Sequence, residues 1–367
     1  MSSFFSKRHS QLEPYTPGEQ PQDRSYIKLN TNESPFPPSP GVSAAAEKEA
    51  GRLQLYSDPE SRELIRALAD RYRLSTDELI VGNGSDELLN FAFMAWCDET
   101  HPALFPDISY GFYPVFAQLN RIPYEEIPLK EDFSICLDDY HSRKGTVFLA
   151  NPNAPTGLLK SCAEIERLLR SDPNRVVVVD EAYIDFAAGP DGGSASMLSR
   201  IRDHENLLVI QTFSKSRSLA GGRLGFAAGN PALIRDLNTL KYSTNPYNVN
   251  RMTAAAGIAA LREDEYYCEN AGKIVRTRTE TAAALRGLGF TVTDSQSNFL
   301  FARSDRVPGE TLYRELKARG ILVRHFGKDR IRDFLRITVG SDMQMQALLR
   351  ELEQILGEHG EEKQTGR

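Results

Sequence analysis

Four valines in a row, Val176-Val177-Val178-Val179, run directly into a carboxylate, Asp180. A strand with one wet face alternates apolar and polar residues, whereas a strand that is apolar throughout is covered on both faces. Thr146-Val147-Phe148-Leu149-Ala150 and Leu207-Leu208-Val209-Ile210 have the same character. Helical stretches lie between and around these runs. Leu64, Ile65, Leu68 and Tyr72 share one face of the first, and Ile165, Leu168 and Leu169 share one face of another. The second opens on a capping box, Ser161-x-x-Glu164. Strand–helix alternation with uniformly apolar strands predicts an α/β fold whose mostly parallel sheet lies between helices.

In such sheets, ligands sit off the carboxyl ends of the strands. Ser85, Tyr110, Asn153, Asp180, Tyr183 and Lys215 all fall at or just past predicted strand ends. Lys215 is the centre of the set. It leaves the strand Leu207–Ile210 and is flanked by Ser214 and, after a small-residue stretch, by Arg223. A lysine held in this way can form a Schiff base with an aldehyde, while a hydroxyl and a guanidinium hold a phosphate. Aldehyde and phosphate on one molecule point to pyridoxal 5'-phosphate (PLP). Asp180 agrees with this, because a carboxylate ending a buried strand needs a cationic partner, which a protonated pyridine nitrogen provides. The stretch Gly82-Asn83-Gly84-Ser85-Asp86 turns a strand into a helix, with Ser85 expected as its cap and the free N–H groups facing an anion. It lacks the third glycine of a dinucleotide loop.

The C-terminal third changes pattern. Short strands over Phe290–Thr293, Asn298–Phe301, Ile321–Val323 and Phe334–Val339 surround a helix ending at Gly320, and a last helix carries Leu348, Leu352 and Ile355. This predicts a smaller α+β domain. In its last strand, period two puts Leu335, Ile337 and Val339 on one face and Arg336 on the other. The expected organisation is an irregular arm over 1–40 that packs with the small domain, a large domain over 41–284, the small domain over 285–358 and a frayed tail over 359–367.

Composition narrows the partners. A net charge of −6 carries no nucleic-acid footprint. No apolar run is long enough to span a membrane. The four cysteines form no CxxC pair and the histidines show no metal-ligand spacing. The first residues lack the apolar core of a signal peptide. A cytoplasmic protein with reduced thiols, no metal and small-molecule substrates is expected.

Asn151–Gly157, Asp180–Tyr183, Ser214–Lys215 and Leu219–Arg223 resemble the motifs of the fold-type-I, class-II PLP-dependent aminotransferases. Leu29–Pro35, Gly82–Glu87, Pro246–Asn248, Asn298–Phe299 and Leu335–Gly340 extend the match, which looks most like the branch of that family acting on histidinol phosphate. The resemblance implies a seven-stranded sheet in the large domain and transfer of an amino group between L-histidinol phosphate and 2-oxoglutarate. It implies Lys215 as the Schiff-base lysine, Asp180 under the ring nitrogen, Tyr183 as donor to the ring phenolate and Tyr110 stacked on its face, with Asn153 also in the cofactor-binding set. Ser85, Asp86, Ser214 and Arg223 are implied as the phosphate cradle. Tyr56 is implied to reach the cofactor phosphate of a neighbouring subunit, and so a homodimer with shared sites. Arg336 is implied to grip a substrate carboxylate, with Tyr15, Arg324 and Asn298 beside the substrate. Aromatic amino-acid transamination and threonine-phosphate decarboxylation fit the same motifs. A PLP-sensing regulator would need an added DNA-binding domain, for which the proline-rich arm is too short.

One position departs from the resemblance. The family carries asparagine immediately before Pro-Thr-Gly, where its amide donates to the ring phenolate; here the residue is Ala154. A lost hydrogen bond to a charged acceptor costs about 1.5–3 kcal/mol. Water or a nearby side chain is therefore expected to take its place, leaving Tyr183 as the main protein donor. Gly222, where the family favours an aliphatic residue, is a milder change.

Overall fold

The computed structural model describes residues 2, 4–10, 12–189 and 193–365, with side chains to residue 360. In chain order the strands are β1 (Ile27–Lys28), β2 (Leu79–Asn83), β3 (Ala103–Pro106), β4 (Tyr124–Ile127), β5 (Thr146–Ala150), β6 (Val177–Asp180), β7 (Leu207–Thr212), β8 (Leu224–Gly229), β9 (Phe290–Val292), β10 (Phe299–Ser304), β11 (Ile321–Leu322), β12 (Arg324–His325) and β13 (Phe334–Thr338). The helices are α1 (Pro40–Ala50), α2 (Arg62–Tyr72), α3 (Ser85–Trp96), α4 (Tyr113–Asn120), α5 (Cys162–Ser171), α6 (Pro231–Thr244), α7 (Arg251–Arg262), α8 (Asp264–Gly287), α9 (Gly309–Ala318) and α10 (Asp342–Thr365).

Seven strands form the large sheet in the order β2-β8-β7-β6-β5-β3-β4. Strands β3 to β7 are mutually parallel, and β8 runs antiparallel between β7 and β2. The fold is thus α/β with a mostly parallel seven-stranded sheet, as expected. The valine run shows why both faces are dry. Val177 and Val179 pack into one core with Val147, Leu149, Leu207 and Val209, while Val178 packs into another with Phe148, Leu208 and Ile210. Helix α5 begins on the expected capping box, with Ser161 N–H donating to Glu164 Oε2 at 2.9 Å and Ser161 Oγ accepting from Glu164 N–H at 3.3 Å. Its Ile165, Leu168 and Leu169 are buried.

A third core belongs to the smaller unit, whose four-stranded antiparallel sheet has the order β12-β13-β10-β9. The expected strand over Ile321–Val323 is shortened to β11, and a second short strand, β12, follows Val323. β11 pairs in parallel with β1 of the arm, and β12 pairs with β13. The arm is therefore not wholly irregular: Leu29 N–H donates to Leu322 O at 2.8 Å, and Leu29 is buried in the smaller unit's core.

Candidate active site

The parallel strands all end at one edge of the large sheet, and the antiparallel β8 begins there. Asp180 is the last residue of β6, Lys215 follows β7, Ser85 follows β2, and Arg223 immediately precedes β8. A single cleft at this edge is lined by Ser85, Asp86, Tyr110, Asp180, Tyr183, Ser214, Lys215 and Arg223. From the arm and the smaller unit, Tyr15, Arg324 and Arg336 line the same cleft.

The turn into α3 is built by close approach. Gly84 is the N-cap, with φ +77°, and Ser85 is the first helical residue, so the expectation of Ser85 as the cap is corrected. A Cβ on Gly84 would stand 2.5 Å from Arg223 Nη2, and one on Gly225 would stand 2.5 Å from Ser85 N. A side chain at either position would push the guanidinium or the helix N-terminus out of place. Among the described residues no side chain caps the first N–H groups of α3. Arg223 donates to Asp86 Oδ2 at 3.1 Å, and Tyr110 Oη donates to Asp86 Oδ1 at 2.7 Å. Ser214 is fixed by Thr212, whose Oγ1 lies 2.9 Å from Ser214 Oγ and accepts from Ser214 N–H at 3.1 Å. A helix N-terminus, a hydroxyl and a guanidinium together form a cradle for a phosphate.

Asp180 is buried and forms no ion pair among the described residues. Burial, and then the Asp86 charge, push its carboxyl up to about 7, against N–H donation from Ala182 at 3.2 Å and O–H donation from Tyr113 at 3.3 Å. An acid in this state is a receptor for a cation. Burial, and then Arg336, push the Lys215 amine down to about 8. Its Nζ donates to Thr31 O at 3.1 Å and lies 5.9 Å from the centroid of the Tyr183 ring. The donor set fits a ring that carries a basic nitrogen, a carbonyl carbon within reach of an amine, and a phosphate.

Arg336 points away from the core face of β13, as period two predicts. It donates to Asn30 O at 3.0 Å, leaves Nε without a partner and meets no carboxylate among the described residues. Burial lowers its pKa. A half-buried guanidinium without a counter-ion suits an anionic substrate group. Arg324 is tied to the arm, donating to Pro17 O at 3.0 Å and Thr16 O at 2.9 Å. Tyr15 stacks on Phe112 with centroids 4.2 Å apart.

Three expected residues lie off the cleft. The Asn153 amide is used internally, donating to Ile108 O and Thr156 Oγ1 and accepting from Ser109 Oγ. Asn298 is fully buried and donates to Asn32 O at 2.9 Å. Tyr56 is 81% exposed and stacks on Tyr247, centroids 4.6 Å apart.

Asn30, Thr31, Asn32 and Glu33 of the arm also line the cleft, within the stretch Leu29–Pro35 to which the sequence assigns no individual roles. Asn32 Nδ2 donates to Tyr183 Oη at 3.0 Å. Glu33 pairs with Lys28 at 2.7 Å. The available signal was the polar run Asn30–Ser34 set in an irregular segment, which marks function without assigning a role to each side chain.

Known proteins share this architecture. The family model for aminotransferase class I and II matches residues 24–352. The histidinol-phosphate aminotransferase of Brachyspira hyodysenteriae is 45% identical over 357 residues, covering 97% of this chain and 99% of the relative. That of Clostridium beijerinckii is 45% identical over 363 residues, covering 99% and 100%. The crystal structure of histidinol-phosphate aminotransferase from Sinorhizobium meliloti in complex with pyridoxal-5'-phosphate superposes with a TM-score of 0.83 at 25% identity, covering 91% of this chain and 92% of that one. With its cleft, its lysine and its seven-stranded sheet, the chain belongs to the class I and II aminotransferase family.

Proposed function

We propose that this chain is a PLP-dependent aminotransferase that moves an amino group between L-histidinol phosphate and 2-oxoglutarate. One observation carries the reading: a buried acid without an ion pair and a half-buried amine with a depressed pKa line the same cleft. When bound, PLP supplies an aldehyde and an electron-withdrawing ring. Asp180 would hold the ring nitrogen's proton, and the cation restores the carboxylate that burial disfavours. The N–H groups at Ser85 and Asp86, with Ser214 and Arg223, would hold the phosphate. Tyr183 would donate to the ring's phenolic oxygen. Lys215 Nζ, neutral in part near pH 8, would be the amine that takes the aldehyde and the base that carries a proton to and from the substrate carbon. Arg336, without a carboxylate of its own, would take the carboxylate of 2-oxoglutarate or glutamate. Arg324 and Tyr15 would face the substrate phosphate.

The cleft is completed by a second copy in this reading. Tyr56, Leu53, Leu55 and Tyr247 are all exposed, and Arg251 donates to Tyr56 O at 2.7 Å. This apolar patch suits a homodimer in which Tyr56 reaches the partner's cofactor phosphate. Among the described residues no helix is long and apolar enough to cross a membrane, which accords with a cytoplasmic enzyme.

The test is a coupled assay with histidinol phosphate, phenylalanine, tyrosine and threonine phosphate, each with and without 2-oxoglutarate. Glutamate should form with histidinol phosphate, and only when 2-oxoglutarate is present. Carbon dioxide released from threonine phosphate, or glutamate formed only with the aromatic amino acids, overturns the substrate assignment.

A further inference from the structure

We infer that Asn32 is a positioning residue that sets the direction of the Tyr183 hydroxyl proton, turning it into the cleft toward the cofactor's phenolic oxygen. The inference rests on the PLP reading above and adds a residue to it.

A closed run of hydrogen bonds fixes the direction. The backbone N–H of Asn32 donates to Thr338 Oγ1 at 2.9 Å, so that oxygen is an acceptor there. The Thr338 hydroxyl then donates to Asn32 Oδ1 at 3.1 Å, the acceptor it meets among the described residues. With Oδ1 engaged, the amide nitrogen faces Tyr183, and Asn32 Nδ2 donates to Tyr183 Oη at 3.0 Å. A phenol that accepts from an amide keeps its own proton to donate elsewhere. The reverse orientation of the amide would strand the Thr338 proton and turn the Tyr183 proton inward, away from the cleft.

The backbone is held as tightly as the side chain. Asn298 Nδ2 donates to Asn32 O at 2.9 Å, and both asparagines are buried. Asn32 has φ 57°, a left-handed conformation that asparagine tolerates better than most residues. Ala154, on the same cleft wall as Tyr183, offers a methyl group and no donor. Tyr183 is thus the side chain in position to donate to the phenolic oxygen, and its proton's direction depends on residue 32.

The test is the pH titration of the holoenzyme's visible absorbance. A donor to the phenolic oxygen lowers the pKa of that transition by stabilising the ring's negative charge. Asn32→Gly keeps the left-handed backbone accessible and removes the amide. It should raise the transition by about one pH unit, a tenfold change in proton affinity. Tyr183→Phe should raise it at least as far, and the double variant no further than Tyr183→Phe alone. Thr338→Val, which frees the amide, should raise it by less; it decides the case if Asn32→Gly does not fold. An unmoved transition in Asn32→Gly beside a raised one in Tyr183→Phe overturns the inference and leaves the PLP reading intact. So does full additivity, which would mean that Asn32 acts without Tyr183. A visible band that survives Lys215→Ala unchanged would instead overturn the PLP reading itself.

Discussion

Burial pushes the Asp180 carboxyl up and the Lys215 amine down, and in the proposed reading one ligand would engage both. The Asp180 carboxyl, ordinarily near 3.8, is pushed up to about 7 by burial. The folded apoprotein therefore holds that proton more tightly than the unfolded chain does. This contribution to stability is complete below pH 3.8 and is lost as pH rises to about 7. Glu181, also buried and pushed up to about 7, acts in the same direction. We expect the thermal midpoint of the apoprotein to fall across this window, the fall to shrink in Asp180→Asn, and PLP to oppose it in the wild type. A differential scanning fluorimetry series against pH checks all three. At this scale the sequence was informative where chemistry is rare. A carboxylate after four valines and a lysine after a buried strand are legible because burial makes them costly. Asn32 was not legible: its role depends on which way an amide and a hydroxyl face, and that is set by Thr338, a residue 306 positions away.

Elements were legible in proportion to how completely they are buried. Strands β5, β6 and β7 are buried at every position. Strand β4 was not anticipated as an element of its own, because Tyr124, Glu125 and Glu126 are exposed at the sheet edge and its sequence carries no apolar run. The boundary of α5 was read from its capping box, and that gives a test of an element away from the cleft. Ser161→Ala should cost about 1 kcal/mol of stability in chemical denaturation. Turnover at 25 °C should stay unchanged, because Ser161 lines no part of the cleft. The pairing of β1 with β11 escaped sequence reading for another reason. Two-residue strands have no period to detect, and their register is fixed by the flanking bonds of Ile27 and Leu29.

For the whole molecule, the proposal of shared sites makes assembly and activity one measurement. Leu53→Asp with Leu55→Asp should shift the protein from dimer to monomer in analytical ultracentrifugation, and turnover should fall with the dimer. Tyr56→Phe should leave the dimer in place and weaken PLP retention several-fold, read by dialysis and residual absorbance. Full turnover from a stable monomer would refute shared sites. The large sheet and the smaller antiparallel unit were foreseeable because one alternates strand with helix and the other does not. The way the arm closes the cleft was not, because that depends on contacts between the two ends of the sequence.

Those contacts also order events in time. Asn30, Thr31 and Asn32 bind, in turn, Arg336, Lys215 and Tyr183, and Asn32 also engages Thr338. During translation the segment near residue 30 leaves the ribosome long before its furthest counterpart is made. A nascent polypeptide halted short of β13 would have the large sheet and the nucleophile but neither the guanidinium nor the threonine. In the proposed reading, chemical competence would therefore arrive with the last strand, because a chain ending before it lacks both Thr338 and the Arg336 charge that helps lower the Lys215 amine.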